Sequence, residues 1–180
     1  EQGYELHKGQ YMLSDQLVDY WKDLLTAHTS VTYVEDPFSE RDSEGWASLM
    51  KEVPTDADFT VVGNTLFHSN AERLQTLLEL EAPPCNAATV RINQLGTVTE
   101  AYDSMKVVTE QERDLVIASN AGDSSSTMIV DLAVAMDAKF VHFGGFQHSE
   151  AVAKYNRLVQ IEEVLKESGR MMERDGQDKK

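Results

Sequence analysis

Residues 88–100 read Ala88-Thr89-Val90-Arg91-Ile92-Asn93-Gln94-Leu95-Gly96-Thr97-Val98-Thr99-Glu100, and this stretch holds a whole passage from strand to helix. Ala88 to Ile92 is short and mostly apolar, as a strand covered on both faces should be. Thr97 with Glu100 three residues later is a capping-box pattern, so a helix is expected to open at Thr97 and run to Glu110. Arg91 interrupts the apolar run near the end of the strand, which marks it as a residue to follow.

The same alternation recurs on both sides. Upstream, Leu17, Trp21, Leu24 and Leu25 recur at helical spacing, Ser30 to Glu35 reads as a strand, and Ser39 to Val53 as a helix with Trp46, Leu49, Met50 and Val53 on one side. Phe59 to Val62 is a strand closed by Gly63, and Asn70 is an N-cap for a helix through Leu80, broken by Pro83-Pro84. Downstream, Leu115 to Ala118 is a strand, Ser124 to Met136 a helix, Phe140 to Phe143 a strand, and Ser149 to Lys166 a long helix. Five βα units in series make an α/β fold, either an open doubly wound sheet or a barrel. No P-loop or Gly-rich dinucleotide fingerprint follows a strand, which argues against a nucleotide-binding sheet. The strands end in Glu35, Asn64, Arg91, Asn120 and His142. Such polar ends would line the mouth of a barrel, although strand ends that meet solvent are often polar anyway.

Composition narrows the partners. The 180 residues carry a formal charge of -15, which repels phosphate backbones and anionic lipids, so neither nucleic acid nor a membrane is an expected partner. No apolar run is long enough to span a bilayer, and Glu1-Gln2-Gly3-Tyr4 has neither the basic nor the apolar region of a signal peptide. The single Cys85 cannot form an internal disulfide, which fits a reducing, cytoplasmic setting.

Four segments then carry a resemblance. They are Val34-Glu35-Asp36-Pro37-Phe38 with Trp46-Ala47; Ile92-Asn93-Gln94-Leu95-Gly96-Thr97-Val98-Thr99-Glu100; Asp131-Leu132-Ala133-Val134; and Ser149-Glu150 with Ala153-Lys154-Tyr155-Asn156-Arg157-Leu158 and Ile161-Glu162-Glu163. In order and spacing, across roughly residues 4 to 166, they resemble the enolase segments EDPF then W-A/S, K-V-N-Q-I-G-T-x-T/S-E, the helix after the SHRSGET loop, and S-E-R-x-A-K-Y/L-N-Q-L-x-x-I-E-E. The resemblance implies the C-terminal five βα units of a (β/α)8, TIM-type enolase barrel, incomplete in this chain. Residues 1–168 are then the C-terminal part of the barrel domain and 169–180 a polar, disordered tail. It also implies that the family's N-terminal domain and first three strands precede the chain, with the general-acid glutamate region and one metal-binding aspartate. The start in mid-pattern without a methionine agrees with a fragment. The missing N-terminal half of the same protein is therefore an expected partner, beside a homodimer or another protein complex.

Enolases remove water from 2-phosphoglycerate to give phosphoenolpyruvate, a magnesium-dependent lyase reaction of glycolysis. Its first step takes a weakly acidic proton next to a carboxylate, so the developing charge needs metal and cationic support and a base that is neutral at working pH. By resemblance, Glu35 stands at a magnesium-binding glutamate and is either a ligand or an acid paired with a basic neighbour. Asn64 and Thr65 stand at paired aspartates; an amide at Asn64 coordinates more weakly, so magnesium would meet a weakened site, or Asn64 simply satisfies a strand–loop junction. Arg91 stands at the base lysine, and arginine stays protonated and cannot serve as a base; it is expected to pair with Glu35, or to clamp an anion. Asn120 and Ala121 stand at the phosphate-clamping arginine and serine, with charge and hydroxyl both lost. The run Ser124 to Thr127 could cap a helix and offer backbone N–H groups to an anion, or be a cap alone. His142 stands at the second catalytic lysine, either partly replacing a cation or buried in its strand with one nitrogen satisfied.

The expectation is an enolase-like protein with degenerate catalytic positions, similar to the divergent enolase 4 type of animals, with little or no dehydration of 2-phosphoglycerate and a scaffold or interaction role. The alternative is a working phosphopyruvate hydratase with replaced catalytic residues. A third reading is a sensor that holds an anion at Arg91 and the Ser124 to Thr127 cap without turnover.

Overall fold

Gly9, at φ 82°, turns an antiparallel hairpin of β1 (Tyr4–His7) and β2 (Gln10–Met12) that apolar spacing did not predict. These strands are short and mostly exposed, so they carry little of the periodicity that marks a buried element. The computed structural model describes residues 3–53, 59–120 and 122–171. Within them the hairpin leads into α1 (Ser14–Ala27), β3 (Tyr33–Glu35), α2 (Ser43–Glu52), β4 (Thr60–Gly63) and α3 (Ala71–Leu78). Then follow β5 (Ala87–Val90), a single 3-10 turn (Ile92–Gln94), α4 (Val98–Glu110), β6 (Asp114–Ala118), α5 (Met128–Ala135), β7 (Phe140–His142) and α6 (Ser149–Glu167).

Among the described residues β3 to β7 form one sheet in chain order, every neighbouring pair parallel. Each strand is followed by a helix, and the sheet curls into a half-barrel. Alternation along each strand fixes the two faces. Val61, Ala88, Val90, Leu115 and Ile117 point outward into the main core, against helix residues such as Leu74 and Met105. Val62, Ala87 and Val116 point inward and are covered by Tyr33 and Phe140. Those two rings come from the two outermost strands and meet edge to face, with centroids 5.2 Å apart. Side chains from alternate strands filling the interior in layers is how a (β/α)8 barrel is packed. β3 and β7 each keep one unpaired edge among the described residues.

Helix starts follow local chemistry. The Asn70 side chain accepts from the Arg73 N–H at 2.9 Å and the Thr97 hydroxyl from the Glu100 N–H at 3.1 Å. Glu100 completes the Thr97 pairing through the hydroxyl, 3.1 Å from its Oε2, rather than through the Thr97 backbone N–H of a full capping box. Several expected elements are shorter: α2 begins at Ser43 rather than Ser39, and β3 at Tyr33 rather than Ser30. The strand expected through Ile92 stops at Val90, because Ile92 to Gln94 wind into the 3-10 turn. The helix expected from Ser124 begins only at Met128. Its serines bond within the loop instead, the Ser126 N–H to the Ser124 hydroxyl at 3.3 Å, which is how serine competes with helix formation.

Past α6, Gly169 at φ 65° donates to the Lys166 carbonyl at 3.1 Å, and the Arg170 N–H reaches the Leu165 carbonyl at 2.9 Å. This is a Schellman closure, so the first residues of the expected tail finish the helix; residues 172–180 lie outside the described residues. No helix among the described residues is long and apolar enough to cross a membrane.

Candidate functional site

Inward-facing positions of five parallel strands bring Glu35, Asn64, Arg91, Asn120 and His142 to one rim, the carboxyl ends of the strands. Arg91 is the hub. Its Nε donates to Asn64 Oδ1 at 3.2 Å, and its Nη1 to the Ser119 carbonyl at 2.9 Å and to Asn120 Oδ1 at 3.0 Å. Its Nη2 lies 3.9 Å from Glu35 Oε1, a long ion pair of the kind the sequence suggested. The other Glu35 oxygen accepts from the Tyr33 hydroxyl at 2.7 Å. Burial, and then that bond to a carboxylate, push the Tyr33 hydroxyl well above the usual tyrosine range, so it remains a donor.

The backbone beneath the hub is fixed as well. The Arg91 N–H donates to the Ser69 hydroxyl at 2.9 Å, which donates to Gln94 Oε1 at 2.8 Å, while the Ser104 hydroxyl donates to the Ser69 carbonyl at 2.8 Å. Ser69 is buried and left-handed at φ 57°. Asp36 organises the next loop: its carboxylate accepts from the Asn64 N–H at 2.8 Å, the Thr65 N–H at 3.0 Å and the Thr65 hydroxyl at 2.7 Å. Lys154, with 1% of its side chain exposed, donates from α6 to the Ser124 carbonyl at 2.7 Å and lies 3.2 Å from Asp123 Oδ2, which staples the β6–α5 loop. Sequence reasoning gave none of these three a role. Asp36 and Lys154 lie inside the quoted motifs, which was their only signal, and Ser69 had none.

The remaining expected residues divide. Asn120 lies at the rim as an acceptor for Arg91. Ala121 lies outside the described residues. His142 is exposed, not buried as one reading held, because β7 ends there and the chain turns away through Gly144 at φ 91°. It lines a cavity of 370 Å³ with Arg91, Ser119, Asn120, His148 and Glu150. The Ser124 to Thr127 run caps α5 only through a long bond, the Met128 N–H donating to the Ser126 hydroxyl at 3.5 Å, while Thr127 makes no side-chain capping bond among the described residues.

Glu35 and Asn64 are the positions at which the resemblance implies a magnesium ion. The single side-chain oxygen of Asn64 is taken by Arg91, and both oxygens of Glu35 face a donor. Among the described residues no group of three or more His, Cys, Asp or Glu is arranged to hold a metal. As placed, these side chains do not fit a magnesium ion.

A family model described as the enolase C-terminal TIM barrel domain matches residues 2–179. An enolase of Methanocaldococcus jannaschii is 36% identical over 163 residues, covering 91% of this chain and 37% of that protein. The chain thus spans little more than a third of the length of this curated relative. With the parallel half-barrel and the polar rim, these matches settle the family: the chain belongs to the enolases, as part of their C-terminal barrel domain.

Proposed function

We propose that this chain belongs to an enolase-like protein that dehydrates 2-phosphoglycerate little or not at all, and whose barrel serves as a scaffold for a homodimer or another protein complex in the cytoplasm. One observation carries the reading. The residue at the position of the base lysine is Arg91, whose guanidinium already donates to Asn64, Ser119 and Asn120. Arginine stays protonated at any working pH and cannot take a proton from carbon. The loss of a cation at Asn120 acts in the same direction; removing one oxyanion-type donor alone lowers rates by about 10²–10³. Against the anion-sensor reading, three of the five Arg91 N–H groups are engaged by protein acceptors and Nη2 is turned toward Glu35 at 3.9 Å.

The test is a coupled assay of full-length protein with 2-phosphoglycerate and excess magnesium. No phosphoenolpyruvate formation in a folded sample is the expected result; turnover near a typical ~10 s⁻¹ would overturn it. A scaffold role further requires a complex that survives Arg91 and His142 substitutions and is lost on changes to outer helix residues. One observation favours the alternative of an active phosphopyruvate hydratase: the 370 Å³ cavity at the rim places the exposed His142 beside Arg91. Activity that vanishes in His142→Ala would establish that alternative.

A further inference from the structure

We propose that the Arg91 guanidinium is a tethered cation at the barrel mouth, engaging the oxygens on which a divalent metal would otherwise converge, so that this rim is held together without metal. The geometry joins neighbouring strands through one group. Arg91 follows β5 and reaches Asn64 after β4 at 3.2 Å, the Ser119 carbonyl and Asn120 after β6 at 2.9 and 3.0 Å, and Glu35 at the end of β3 at 3.9 Å. Its side chain is 14% exposed and that of Glu35 24%, so the pair is largely out of water.

A metal would need the same atoms. Magnesium takes oxygens at about 2.1 Å in near-octahedral array. Asn64 offers one side-chain oxygen, and it faces Nε. Glu35 Oε2 accepts from Tyr33, and Oε1 faces Nη2. A dication taking Asn64 Oδ1 and Glu35 Oε1 would have to displace the guanidinium or sit beside its fixed charge, with little water to screen the repulsion. Displacement is resisted from below, because the Arg91 backbone is bonded to Ser69. Arginine suits the task where lysine would not: a planar fork of five donors serves several acceptors at once, and its charge does not change with pH.

Mn²⁺ titration of the full-length protein followed by electron paramagnetic resonance, with thermal unfolding in EDTA and in millimolar magnesium, tests this. In the wild-type protein the expected results are no Mn²⁺ binding that depends on Glu35 and the same Tm in both buffers. Arg91→Met is expected to lower Tm by about 5 °C, and magnesium to restore part of that loss by occupying the released Glu35 and Asn64 oxygens. Wild-type Mn²⁺ binding that Glu35→Gln abolishes, or an Arg91→Met protein of unchanged Tm, would overturn the proposal. Should Arg91→Met fail to fold, Arg91→Lys decides the second point: a Tm below that of the wild type supports the tethered cation and an unchanged Tm overturns it. The experiment is separable from the turnover assay. Turnover without Glu35-dependent Mn²⁺ binding would sink the proposed function alone, and Glu35-dependent binding without turnover would sink this inference alone.

Discussion

Lys154 brings an ammonium group into a place with almost no water, where Asp123 and the Ser124 and Glu150 carbonyls are its partners. The two halves of this pair are not equivalent. Lys154→Met removes the buried charge, fills similar volume, and leaves behind a carboxylate with 25% exposure that can rehydrate. Its expected cost is ~1–3 kcal/mol, mostly from carbonyls that lose a donor. Asp123→Ala instead leaves the ammonium buried without its counter-charge, and is expected to cost ~3–5 kcal/mol. Urea denaturation of both variants checks the order; a smaller loss for Asp123→Ala would mean that Lys154 finds water. Asp42 gives a residue-level prediction in pH. Its carboxylate accepts from the Tyr4 hydroxyl at 2.6 Å, the Ser14 hydroxyl at 2.7 Å and the Gly45 N–H at 2.9 Å. Burial opposes its ionisation, but these bonds outweigh burial and hold the group below its ordinary 3.8. The same contact, after burial, pushes the Tyr4 hydroxyl up to about 12. A depressed carboxylate contributes stability that is present above the unfolded value and is lost as pH falls through the folded value. Wild-type stability is therefore expected to fall below about pH 4. Asp42→Asn is expected to lose ~1–2 kcal/mol at neutral pH and to show a shallower acid decline, as read from denaturation midpoints across pH 2 to 7.

The same carboxylate makes an element-scale joint. Asp42 is the N-cap of α2, and through Tyr4 and Ser14 it ties the hairpin and α1 to that helix. Gly45 sits in the first turn of α2, where a Cβ would stand 2.6 Å from Phe38 Cδ1, 2.7 Å from Ser14 Oγ and 2.8 Å from Asp42 Oδ2. Helix propensity alone would make Gly45→Ala stabilising by ~1 kcal/mol. Overpacking against the buried Phe38 and displacement of the cap oppose this at ~1–3 kcal/mol, so the net effect is expected to be a loss, seen as a lower Tm. A gain would show that the joint relaxes freely. Helices whose periodicity and caps agree, such as α3 and α4, were legible nearly to the residue. The hairpin and the late start of α5 were not: both depend on turn geometry and serine side-chain bonds, which apolar spacing does not register.

At the scale of the molecule, the half-barrel covers its inner face with Tyr33 and Phe140 but leaves one edge each of β3 and β7 unpaired among the described residues. Thr89, inward and fully buried, has a hydroxyl without a hydrogen-bond partner among the described residues. Open strand edges template pairing with other chains, so these 180 residues expressed alone are expected to self-associate, with a mass by light scattering that rises with concentration. A monomer at all concentrations would mean that loops and helices shield the edges. The amino-acid sequence by itself determined the five βα units, their order and the family, because hydrophobic period, cap residues and motif spacing are properties of the chain read locally. It also named all five rim residues, since each is a polar side chain at or next to the end of an expected strand. Only the tertiary structure decided what those residues do to one another. The register of neighbouring strands and the inward parity of each strand end place the guanidinium of Arg91 among acceptors from residues 27 to 56 positions away in the chain, and no local pattern encodes contacts at such separation.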